Sequence, residues 1–487
     1  MGVLWVLITM VSCTDVYYIS GMESIDGIIP AGGDSFGEIV ESPFVSVASQ
    51  AQSTFSVDAD GASYAYTRRS ILSGKFPQKN AVRIEEYLNY FTFDYPDPQG
   101  DNSVAISSET GLCPWNTSHQ LLRLGLKGKP IPEAEIPQAN YLFLIDISGS
   151  MSSADKLPLL KKGLLALLET MRPDDRIAVV TYASGEKLVL ESTPVSEKET
   201  IANAIKPLIA YGSTAGARAM KMAYDELTKN FIPGANNRII MGTDGDFNVG
   251  VTSTDSLKRM VEAYAREGIY LTICGFGTGN LNDSMMETIS NSGNGTYEYI
   301  DSEEEMVKVF VNERSRFVTV ANDCKVQITF NPAAVDSFRL IGYENRKMEN
   351  SDFQDDKKDA AEIGAGQTIT ALYEIIPVGN APADASLGTF DFRYKQTPGA
   401  ESIPLQCVLP ALATDATLSE NLAFASSLAA FGLTLRDSQY KGESSFQLAY
   451  ELASTSIGND PYGLRRQYIN LIGLASEMNS VQASPLH

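Results

Sequence analysis

Apolar strand-like runs alternate with amphipathic helical patterns through the middle of the chain, which predicts an α/β fold built on a doubly wound parallel sheet. Period-two patterning on both sides predicts that this domain is inserted between segments of a β-sandwich. A 3.6-residue apolar period near the C-terminus adds a small helical region. At 487 residues the chain is too long for one ordinary domain. Its 44% hydrophobic and 20% charged residues are globular proportions, so each part can bury a core.

The chain opens on an apolar run over residues 1–11 that leads into Met10-Val-Ser-Cys13. Small Ser12 ahead of Cys13 resembles a bacterial lipoprotein signal, which would make Cys13 the lipidated residue and residues 1–13 the signal. The run is too short to span a bilayer. Residues 14–52 are Ser- and Gly-rich with little periodicity and read as a flexible tether. Residues 53–135 form an N-terminal region, with strand-like runs near Cys113 and over 121–126.

Residues 138–316 hold the α/β domain. Strands are expected over 141–147, 176–182, 238–242, 269–274 and 296–300, and helices over 157–171, 198–209, 217–231, 256–267 and 284–290. Residues 317–410 return to period two at 324–330, 337–343, 368–376 and 388–394. Residues 411–487 read as three helices, 418–435, 445–453 and 462–478, broken at Gly442, Gly458 and Asp460-Pro461. Their apolar faces, Leu422, Phe424, Leu428 and Phe431 with Leu464, Tyr468 and Leu471, read as core. Cys274 closes a strand-like run and reads as a small buried hydrophobe. Cys113, Cys324 and Cys407 leave room for one disulfide in an oxidising compartment, with its pairing open.

Five oxygen side chains on three loops carry the chemistry. Asp146-Ile-Ser-Gly-Ser150 follows a buried-strand run and supplies Asp146, Ser148 and Ser150. Thr214 lies in Tyr211-Gly-Ser-Thr-Ala-Gly216, ahead of a helix, and Asp244 ends another strand. Open parallel sheets bind ligands outside their strand C-termini, and all five residues fall on that edge. Hard oxygen donors suit Mg2+ or Mn2+ rather than zinc. Such an ion takes about six oxygens, so five side chains leave a position open. With only two donors ionised, the ion keeps enough charge to attract a partner's Asp or Glu.

Residues 140–315 resemble a von Willebrand factor type A domain, in which these segments form a metal-ion-dependent adhesion site. The whole chain resembles a family of exported bacterial proteins with such a domain between characteristic flanks. That likeness rests on Ser53-Thr-Phe-Ser-Val-Asp-Ala-Asp60, Ala81-Val-Arg-Ile-Glu-Glu86, Asp244-Gly-Asp-Phe-Asn-Val-Gly250 and Arg339-Leu-Ile-Gly-Tyr-Glu-Asn-Arg346. The resemblance implies protein binding through the metal, with a shift of the Thr214 loop on ligand binding, and no reaction.

A net charge of −22 and the lack of any polybasic cluster argue against a nucleic-acid surface. Gly275-Phe-Gly-Thr-Gly279 has Asn280 where a dinucleotide fingerprint needs glycine, so no nucleotide is expected. Asp352, Asp355, Asp356 and Asp359 alternate with Lys357 and Lys358 and read as a solvated loop, not a calcium site. Only two histidines, His119 and His487, are available as catalytic bases, and no enzyme is expected. The expectation is a metal-dependent protein-binding module of the bacterial cell envelope, on the membrane by its lipid anchor alone. A chaperone or assembly scaffold is the alternative, and a metal-dependent hydrolase a weaker one.

Overall fold

The computed structural model describes residues 34–57, 60–213, 216–245, 254–279, 281–356, 358 and 360–483. Residues 1–33 with Cys13, and Thr214, Asn280, Lys357, Asp359 and His487, lie outside these residues.

Two antiparallel sheets form the flanking sandwich. One has the order Val45–Ser46, Val335–Ile341, Thr368–Pro377, Gln120–Gly128, Val104–Leu112. The other runs Lys347–Met348, Gln52–Ser56, Thr319–Phe330, Gly388–Lys395, Ile403–Val408, with Ala361–Gly364 also paired to Thr319–Phe330. Side chains alternate faces along a strand, so Leu122, Leu124 and Leu126 enter the core between the sheets with Val326, Ile328 and Phe390. The intervening Leu121 packs into a helical layer instead. In that layer Ala62–Leu72 and Ile84–Tyr90 pack with Glu420–Arg436, Phe446–Ser454 and Leu464–Ala483 around Tyr87, Phe424, Phe431 and Tyr468. Ser419 and Ser445 cap two of the C-terminal helices, each hydroxyl accepting at 3.1 Å from the amide three residues on.

Between the strands Gln120–Gly128 and Thr319–Phe330 the chain departs to build the α/β domain. Its six-stranded sheet has the order Tyr297–Ile300, Ile269–Phe276, Asn236–Thr243, Ala139–Asp146, Arg176–Tyr182, Glu186–Pro194. The first five are parallel and the last is antiparallel. Leu142 and Leu144 face one apolar layer, Phe143 and Ile145 the other, which explains the unbroken apolar run of a strand covered on both sides.

Several expectations are corrected. The tether read over 14–52 is not one from residue 34 onward: Asp34 accepts at 2.7 Å from Gly279 N, Phe36 stacks edge-on with Tyr66, and Val45–Ser46 joins the sandwich. Residues 53–135 give strands to both sandwich sheets and two helices to the helical layer. Glu186–Pro194 is a strand that the pattern did not announce, half-exposed along its length. Cys113, Cys274, Cys324 and Cys407 are all free, so no disulfide joins them.

Buried ion pairs join the N-terminal helices to the α/β domain. Arg68 contacts Asp301 and Glu305 at 2.5 and 2.7 Å, and Arg83 contacts Asp283 at 2.6 Å and also Glu86. Arg346 from the sandwich reaches Glu287 at 2.5 Å.

Candidate metal centre

Strand register sets the site. Ile145 lies beside Gly242 in the parallel pair, so Asp146 leaves the sheet next to Thr243 and Asp244. Gly242 permits the helix Leu157–Thr170 to lie close, since a Cβ there would meet Leu160 Cδ2 at 2.4 Å.

Asp146 and Asp244 are both fully buried, and Ser148 is 1% exposed, whereas Ser150 faces solvent. Ser148 N donates to Asp146 Oδ1 at 2.8 Å, and the Thr243 hydroxyl donates to Oδ2 at 3.2 Å while accepting from Gly245 N. The Ser148 and Ser150 hydroxyl oxygens are 3.0 Å apart. Burial pushes the Asp146 carboxyl up to about 6; hydrogen bonds from Ser148 oppose this and the Asp244 charge adds to it. The two buried carboxylates share this sheet edge.

The loop before Thr214 is tied to the same edge. Gly149 N donates to Gly212 O at 3.0 Å, Tyr211 N to Ile147 O at 2.7 Å, and Ser213 N to Ser184 Oγ at 3.1 Å. The structure therefore brings Asp146, Ser148, Ser150 and Asp244 to one edge and lays the segment leading to Thr214 against it.

The donor set fits Mg2+ or Mn2+. Neighbouring ligands of an octahedral ion with bonds of about 2.1 Å stand about 3 Å apart, the spacing of the two serine oxygens. Among the described residues no group of three or more His, Cys, Asp or Glu could hold a metal.

Sequence reasoning missed Lys156. Its ammonium donates to Asp244 Oδ2 at 2.9 Å from a side chain 9% exposed. The only available signal was a cation just ahead of the helix that follows the serine loop. His119 lies elsewhere, on the sandwich, with Nδ1 2.6 Å from Glu374 Oε1. The acidic loop of the sandwich is engaged by protein groups: Asp352 forms a capping box with Glu349, and Asp356 pairs with Arg393 and accepts from Ser402 at 2.9 Å.

Residues 140–313 match the von Willebrand factor type A domain family, residues 30–123 one described as von Willebrand factor, and residues 315–478 the C-terminal family of uncharacterized protein YfbK. Over 476 residues the chain is 38% identical to the Escherichia coli K12 protein YfbK, across 92% of this chain and 82% of that one. Protein sll0103 of Synechocystis is 28% identical over 213 residues, which is 43% of this chain and 49% of that protein. Inter-alpha-trypsin inhibitor heavy chain H3 of Mesocricetus auratus is 29% identical over 164 residues, 32% of this chain and 18% of its own length. Among solved structures, a von Willebrand factor type A protein from Catenulispora acidiphila aligns over 75% of this chain and 91% of its own, at 17% identity and a TM-score of 0.43.

Proposed function

The chain belongs to the family of the Escherichia coli protein YfbK and carries a von Willebrand factor type A domain, and from that premise we propose that it is a metal-dependent protein-binding module of the bacterial cell envelope. The observation that carries this reading is the pair of serine oxygens 3.0 Å apart beside two buried carboxylates. Asp146, Ser148, Ser150 and Asp244 would hold the ion, with Thr214 as the fifth ligand. Mg2+ or Mn2+, when bound, supplies a Lewis-acidic position open to an Asp or Glu of the partner. Ser148 N and the Thr243 hydroxyl fix the Asp146 carboxylate, and Tyr211 N and Gly149 N hold the two ligand loops together. Gly212, at φ +80°, leads into Thr214, and the helix Gly216–Lys229 follows it; a shift of that segment on ligand binding belongs to the same proposal.

Binding is favoured over turnover because, among the described residues, the site brings no histidine to act as a general base. A lipid on Cys13 would place the module at the membrane and separate it from the chaperone or scaffold alternative. Two experiments test these points. Manganese-loaded protein should bind an immobilised glutamate-bearing peptide, release it on chelation and ignore the glutamine version. Binding that survives chelation sinks the metal-dependent reading. Fatty-acid label should enter the native precursor in a bacterial host and be lost in Cys13→Ser; label retained in the variant refutes the anchor.

A further inference from the structure

Lys156 is built into the metal centre by its surroundings. Its backbone is fixed at the start of the helix Leu157–Thr170, donating to Ser153 O at 3.1 Å and accepting from Leu160 N at 2.9 Å. Its side chain crosses Gly277, where φ is +71° and a Cβ would stand 2.1 Å from Lys156 Cε. Tyr299 donates to Gly277 O at 2.7 Å and holds that turn in place. A glycine thus opens the path along which a buried ammonium reaches Asp244.

The charge count gives this contact a consequence. Among the described residues of the centre, Asp146 and Asp244 with Lys156 sum to one negative charge, whereas the two carboxylates alone would sum to two. A divalent ion added to all three groups leaves one positive charge; added to the carboxylates alone, it leaves none. Removing solvent strengthens each of these interactions, and all three charged groups are buried.

We propose that Lys156 is the resident counter-cation of the centre: it competes with the divalent ion for Asp244, and its charge biases the loaded site towards an anionic partner. The inference rests on the metal-binding reading above. Lys156 therefore lowers metal affinity and raises affinity for a partner carboxylate, and it must give up its contact with Asp244 for that oxygen to reach the ion.

The test is calorimetric titration of Mn2+ into the full chain, wild type beside Lys156→Met and Lys156→Gln, together with amine footprinting of the wild type with and without Mn2+. Both variants should bind at least about tenfold more tightly, the order expected when a competing buried charge is removed. Acetylation at Lys156 should rise when Mn2+ is added, while exposed Lys162 stays constant. Wild-type binding with equal or weaker binding by the variants overturns the inference and leaves the metal reading standing. Should both variants fail to fold, unchanged protection of Lys156 in loaded wild type overturns it by itself. No binding by any of the three proteins overturns both readings.

Discussion

Asp146 illustrates what a single residue can and cannot announce. Its position after an apolar strand and before two spaced serines was legible because the proposed metal chemistry needs those residue types at that spacing. Lys156 was not legible, because its partner lies 88 positions further along the chain. Glu85 was equally hidden: it is 3% exposed, its Oε2 has no hydrogen-bond partner among the described residues, and burial, reinforced by the Glu344 charge, raises its carboxyl to about 7. A carboxyl raised above its ordinary value near 4.5 contributes stability that is present below that value and is lost as pH rises through about 7. Glu85→Gln keeps the shape without the charge. It should match the wild type near pH 4.5 and exceed it at pH 8 by roughly 1–3 kcal/mol in urea denaturation. Equal gains at both pH values would show that charge is not the cause.

Elements with their own periodicity were readable, and those defined by distant partners were not. The C-terminal helices Glu420–Arg436, Phe446–Ser454 and Leu464–Ala483 follow the apolar faces and breaks seen in the sequence. Ala62–Leu72 buries Ser63, Thr67 and Arg68 as well as apolar residues, so no amphipathic stripe marks it. Glu186–Pro194 is an edge strand without strict alternation, and Val45–Ser46 exists only by pairing with Val335–Ile341. Packing should outweigh capping in the helical layer. Phe431→Ala, which empties the middle of that core, should cost about 3–5 kcal/mol, whereas Ser445→Ala should cost about 1 kcal/mol. Thermal melts of the two variants check the order, and a larger loss for Ser445→Ala would contradict it.

At the scale of the whole molecule, the insertion between sandwich segments was visible as a change of period, but the contacts of residues 34–57 and of the N-terminal helices were not. Residues 34–57 reach the α/β domain and both sheets of the sandwich, contacts that no local pattern encodes. Arg68 and Arg83 tie the N-terminal helices to Asp301, Glu305 and Asp283 of the inserted domain. Removing one partner leaves buried charge uncompensated, so Arg83→Met should lose about 3–5 kcal/mol of stability. Loss below 1 kcal/mol by denaturant titration would mean that the pairs do not hold the domains together.

The sheet edge at Asp146 and Asp244 is proposed as a divalent-cation site. Isothermal titration of Mg2+ and Mn2+ into the wild type beside Asp146→Ala tests it most directly. A single saturable site is expected in the wild type and none in the variant. Absence of binding in the wild type, or equal binding in the variant, would contradict it.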